Sequence, residues 1–202
     1  MKKNILTLML LLVGIGNGVG QAQNLVPNPS FEVLDSCPRV FGEVHKLKSW
    51  ENYHYTPDLF HECATTKYVK TPINFFGQQP PASGKGYAGI TVYHQKYPNE
   101  VIGVKLKQAL KPGISYEARI KVSLAERYSR YATNNLGFLF TNAPRKAYNG
   151  KKVHVKTLEV IKETKEWVTI GGTFIPDKTY QYMMIGNFFG SLTIFAPDEV
   201  KF

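Results

Sequence analysis

Acidic residues are scarce in this chain: 15 Asp and Glu stand against 25 Lys and Arg, a formal net charge of +10. Setting aside Lys2 and Lys3, which belong to an N-terminal leader, leaves +8. The excess is scattered, as at Lys46 and Lys48, Lys105 and Lys107, and Lys151 and Lys152. No basic run of five or more exists, nor a zinc-finger or RNA-binding signature, so no nucleic-acid partner is expected. The charge reads as a solvated surface suited to an anionic envelope. Cysteine is equally sparse, with only Cys37 and Cys63. No CxxC or HxxxH spacing completes a zinc site around them. Long apolar runs are missing too. The one such stretch, Ile5–Val13, is far below the roughly 20 residues that cross a bilayer.

That short run has a different meaning at the N-terminus. Lys2 and Lys3 precede it, and the small residues Gly20 and Ala22 follow, so residues 1–22 read as a secretory signal peptide cleaved before Gln23. No Cys follows the run, which argues against a lipid anchor there. The remainder, 23–202, suits one domain with one core. In an exported chain a single Cys pair predicts one disulfide, Cys37–Cys63. Closing a loop of about 26 residues would stabilise the chain by roughly 3.5 kcal/mol in the chain-entropy model.

Helical periodicity is absent from the mature chain. Strand patterns recur instead, at Tyr87–Tyr93, Val101–Leu110, Tyr116–Leu124, Leu136–Phe140, Val153–Val160, Trp167–Pro176 and Tyr182–Phe189. The clearest places Tyr116, Ala118, Ile120, Val122 and Leu124 on one face, with Glu117, Arg119, Lys121 and Ser123 opposite. Gly171-Gly172 marks a bulge or a close backbone approach. Leu124–Asn134 reads as a long connection with at most one helical turn. Seven or more strands separated by turn signals predict an all-β, antiparallel, two-sheet β-sandwich of jelly-roll type.

Catalytic signatures are missing as well. Gly77–Gly86 has six residues where a phosphate-binding loop has four, and Gly86 stands where its hydroxyl residue should be. There is no Gly-x-Ser-x-Gly elbow and no His-Glu-x-x-His, and the five His are scattered singly. No enzyme is therefore expected. A hydrolase would need two carboxylates brought about 5 to 10 Å apart by the fold alone. Aromatics in loops are the more informative set. Phe76 with Gln78, Tyr93 and Tyr97, and Arg127, Tyr128, Arg130 and Tyr131 are candidate ligand-binding residues. Aromatic faces stack on the C–H faces of sugars, and Gln and Arg bond their hydroxyls. Trp50 and Trp167 are assigned to the core. Tyr128 and Tyr131 suit a sandwich end as well as a binding loop. Glu32 is a candidate Ca²⁺ ligand, since Ca²⁺ takes carboxylate oxygens.

The segment Asn24-Leu-Val-Pro-Asn-Pro-Ser-Phe-Glu32 resembles the opening strand of a family of exported jelly-roll modules. These are similar to carbohydrate-binding and galactose-binding-like domains in envelope proteins of Bacteroidetes-type bacteria. Asp35-Ser-Cys37-Pro38, Trp50, Thr56–Cys63, Gly77-Gln78-Gln79, Leu110–Tyr116 and Trp167–Phe174 extend the resemblance over nearly the whole mature chain. It implies glycan or peptidoglycan binding or adhesion without catalysis, in the periplasm, outer membrane or cell surface of a Gram-negative bacterium. It also implies a downstream OmpA-like domain or sorting signal, whose module would have a structural or assembly role. Such modules close with an aromatic-Ile-Asp-Asp-Val strand that completes a structural Ca²⁺ site with the opening Glu. The sequence ends at Phe202 before such a strand, so a domain truncated at its C-terminus, missing its last strand, is expected.

Overall fold

In the computed structural model the residues described are 23–94, 96–129, 131–144 and 153–189, together with the backbone of 194–195. The expected signal peptide, 1–22, lies outside them. The first strands are β1 (Trp50–His54), β2 (Asp58–His61), β3 (Ile73–Asn74), β4 (Gly77–Gln78) and β5 (Gly86–Gly89). Then come β6 (Val101–Leu110), β7 (Tyr116–Val122), β8 (Ala132–Thr133) and β9 (Leu136–Thr141). The last are β10 (Val155–Lys156), β11 (Val168–Phe174), β12 (Tyr180–Asn187) and β13 (Ile194–Phe195). All pairings are antiparallel, and the architecture is an all-β sandwich.

One layer is a five-stranded sheet in the order β1-β6-β12-β9-β10. The period of two along its strands decides its faces. Ile102, Val104 and Leu106 of β6, Met183 and Ile185 of β12, and Leu136, Phe138 and Phe140 of β9 point into the main core. Val101, Met184, Leu139 and Tyr182 point the other way and build a second cluster with Tyr53 and Phe188. The middle of this sheet is thus buried on both faces. Gly103 belongs to that second face, and the Tyr53 ring lies where its Cβ would be.

The opposing layer is made of separate pairs, β7–β11, β2–β5, β3–β4 and β8–β13. Its longest pair runs in unbroken register from Val168↔Val122 to Phe174↔Tyr116. The apolar face expected for β7 is the one used: Tyr116, Ala118, Ile120 and Val122 pack on the core with Val168, Ile170 and Phe174. Phe174 stacks on Phe140 of the large sheet, centroids 4.5 Å apart, which ties the layers together. Gly171 marks a close approach, not a bulge: a Cβ there would overlap the Ala118 carbonyl and the Arg119 backbone.

Four expectations need correction. Asn24–Glu32 forms no strand. Its chain turns at Asn28 and Phe31, both at positive φ (44° and 62°). Asn28 holds the turn with its amide, which accepts from Val33 N and donates to Val33 O and Lys48 O at 2.9–3.0 Å. The strand from Tyr87 is short, ending at Gly89, so 90–93 lies outside it. The Val153–Val160 stretch keeps only two residues in β10. Among its described residues, Leu124–Asn134 contains no helical turn but the short strand β8. The disulfide Cys37–Cys63 forms as expected, with a Cα–Cα separation of 5.6 Å.

Candidate functional site

A cleft of about 920 Å³ opens between the layers, where the chain leaves β5 at 90–94 and β7 at 123–129. Its floor is apolar core edge, with Ile102, Ile120, Leu136 and Ile185. Ten aromatic side chains line it, namely Phe31, Phe60, Phe75, Phe76, Tyr87, Tyr93, Tyr97, Tyr128, Tyr131 and Trp167. That size and mixture, with a few polar groups among apolar walls, suits a small organic ligand.

Six of the eight candidate binding residues line this cleft: Phe76, Gln78, Tyr93, Tyr97, Tyr128 and Tyr131. Tyr93 and Tyr131 meet edge to face at 5.4 Å. Tyr97, 55% exposed, stacks on Tyr55 at 6.1 Å. Tyr128, 64% exposed, lies parallel to Phe75 at 4.7 Å and 5°. Phe76 packs edge to face on Phe60. Arg127 is not among the lining residues. Its backbone N donates to Phe76 O at 2.7 Å, and its side chain is exposed. Arg130 lies outside the described residues.

The rim is held by specific bonds. Gln78 N donates to Glu126 Oε2 at 2.9 Å, and Ser123 Oγ stands 2.9 Å from the Gln79 amide. Gly77 has φ +129, and a Cβ there would fall 2.7 Å from Glu126 Cβ, so the close approach of the two loops requires glycine. A rim fixed this way orders little on binding, which lowers the entropic cost.

Trp50 is core, 2% exposed, its Nε1 donating to Asn28 O at 3.0 Å. Trp167, also assigned to the core, is instead half-buried in the cleft wall. Its Nε1 donates to Pro80 O at 2.7 Å and its ring meets Tyr87 at 5.4 Å. Its indole N–H needs a partner, and the loop that supplies one also sets the cleft edge.

Glu32 fastens backbone in this structure. Its Oε1 accepts from Lys85 N at 2.8 Å and Gly86 N at 3.2 Å, fastening the turn into β5. Among the described residues no group of three or more His, Cys, Asp or Glu is placed to hold a metal ion.

Two acids were not singled out in the sequence, Asp58 and Glu100, the latter a buried neighbour that does not itself line the cleft. Asp58 lines the cleft. Its Oδ1 accepts from Gly42 N at 2.7 Å. Burial, reinforced by the charge of Glu100, pushes its carboxyl up to about 7 despite that bond. Glu100 is 6% exposed and also raised by burial. Its oxygens accept from Thr91 N at 2.7 Å and Thr56 Oγ1 at 3.2 Å. The available sequence signal for Asp58 was local: an acid wedged into Pro57-Asp-Leu-Phe60, where every neighbour is buried. Its pairing with Glu100, far along the chain, is a product of the fold.

No protein-family model matches the chain, and no curated protein matches it.

Proposed function

We propose that this chain is a non-catalytic, exported module that binds glycan in the aromatic cleft, in the manner of the jelly-roll modules it resembles at the envelope of Gram-negative bacteria. The observation that carries the reading is the convergence of Phe76, Gln78, Tyr93, Tyr97, Tyr128 and Tyr131 on one cleft of about 920 Å³ with an apolar floor. Tyr93, Tyr131 and Trp167 supply faces and edges for sugar C–H groups, while Gln78, Ser123 and Asn74 supply hydrogen-bonding groups around them. Affinity in the micromolar-to-millimolar range is expected, because a single cleft of this kind buries little area. The test is a glycan array probed with the folded chain, followed by titration of any hit against Tyr131→Ala and Trp167→Phe. Retained folding with binding weakened about tenfold supports the reading. An array without a hit refutes it.

A second reading, an assembly module of an OmpA-like envelope protein, is favoured by a separate feature. Phe41, Tyr68, Phe75 and Tyr128 form a linked aromatic patch on the outside, each 39–64% exposed. Patches of this kind mark interaction surfaces. On this reading Phe41→Ser weakens assembly and leaves every glycan titration unchanged.

A further inference from the structure

The carboxylate of Asp58 is short of a partner in a way that specifies a ligand. Its Oδ1 is taken by Gly42 N. Oδ2 takes no hydrogen bond among the described residues, and Asp58 lines the cleft. Directly across the β2–β5 pair stands Gly89. A Cβ there would fall 2.6 Å from the Phe60 ring and 3.6 Å from Asp58 Cβ, so the missing side chain leaves the acid uncovered. The charge that acts on it is another acid, Glu100. The ion pairs formed among the described residues, Lys46–Glu43, Lys85–Glu62 and Arg119–Glu117, involve neither. Lys96, Lys121 and His94 line the same cleft without pairing with Asp58, and Glu126 is engaged at the rim.

Burying a carboxylate beside a second one costs free energy unless a cation offsets it. On the same β2–β5 pair Phe60 and Tyr87 lie two residues along from Asp58 and Gly89 and line the cleft with Asp58, and aromatic ring faces also attract cations. A primary ammonium satisfies both requirements, donating to Oδ2 while its carbon frame lies against the rings. Calcium would need six to eight oxygens, and no third acidic or other metal-ligating side chain joins Asp58 and Glu100 among the described residues.

We propose that the cleft selects a sugar bearing a free ammonium group, an amino sugar, through Asp58. This rests on the glycan reading above and narrows it to one chemical class. The experiment is calorimetric titration of the intact chain with a glucosamine trimer and with its fully N-acetylated counterpart, near neutral pH, for wild type and Asp58→Asn. Asn keeps the acceptor for Gly42 N and removes the charge. The expected result is that wild type prefers the free-amine trimer by about tenfold or more, and that Asp58→Asn abolishes the preference. Equal binding of both trimers by wild type overturns the inference and leaves the glycan reading standing. Binding of neutral glycans alone does the same. Failure to bind any glycan removes the glycan reading and this inference with it. The comparison of two ligands on the wild-type chain needs no variant, so it holds even if Asp58→Asn folds poorly.

Discussion

Asp58 gives the most informative perturbation of stability, because its environment sets both the sign and the window. An aspartate has an ordinary value of 3.8, and burial beside Glu100 brings this one up to about 7 in the folded chain. The folded state therefore holds the proton more tightly than the unfolded state does. The stabilisation linked to that proton is fully present below the unfolded value and is lost as pH rises through about 7. At about 1.36 kcal/mol per pH unit, the interval corresponds to ~4 kcal/mol as an upper bound, and local opening of the cleft to water will reduce it. Asp58→Asn carries no titrating proton and retains an acceptor for Gly42 N. Urea denaturation of both proteins in steps from about pH 4 to about pH 8 isolates the Asp58 contribution, since Glu100, which shifts in the same direction, is common to both to first order. The variant should gain on wild type steadily as pH rises, by about 2–4 kcal/mol in total, and the gain should level off above about pH 8. A stability difference that stays flat across the range would refute the reasoning, since it would mean the carboxylate is as well solvated folded as unfolded.

Two further perturbations test the frame. Replacing both Cys37 and Cys63 with Ser should cost roughly 3.5 kcal/mol in a denaturant titration, from the loop of about 26 residues that the bond closes. Gly103→Ala should destabilise by about 1–3 kcal/mol in thermal unfolding, because its Cβ would enter the Tyr53 ring, and Tyr53→Leu in the same chain should restore much of the loss.

The parts of this fold that were legible in the sequence share one property: their side chains alternate between core and water. β7 is the example, with Tyr116, Ala118, Ile120 and Val122 inward and Glu117, Arg119 and Lys121 outward. β12 carries buried residues on both faces, so its pattern is a continuous apolar run instead. Asn24–Glu32 was misread because its apolar residues, Leu25, Val26 and Phe31, do pack on the core, but from a turn. What makes it a turn is the three bonds of the Asn28 side chain, one of which goes to Lys48, 20 residues away. Loop aromatics located the cleft because a sandwich end that exposes so many rings has few other places to put them. Trp167 was misassigned because a buried indole and a wall indole have the same sequence context. Only its bond to Pro80 O, 87 residues off, distinguishes them.

The cleft and its acidic residues have a common origin in how the second layer is built. If β2–β5 and β7–β11 were joined by hydrogen bonds, the layer would be one sheet and its core side would be closed. They are separate pairs, and the cleft is lined by Tyr87, Ala88 and Gly89 of one and Ile120, Lys121 and Val122 of the other. Glu100 sits where the β2–β5 pair stops. Its Oε2 captures Thr91 N, and its own N donates to Thr91 O at 2.8 Å, so the backbone just beyond β5 bonds to this residue rather than continuing along β2. A buried acid is an expensive way to end a strand when a turn would serve, since burial already raises its proton affinity and that of Asp58. The expense becomes intelligible if the same negative charge stands beside a bound cation. On that view the strand ending that opens the cleft and the charge that selects its ligand are two consequences of Glu100 and Asp58 being where they are.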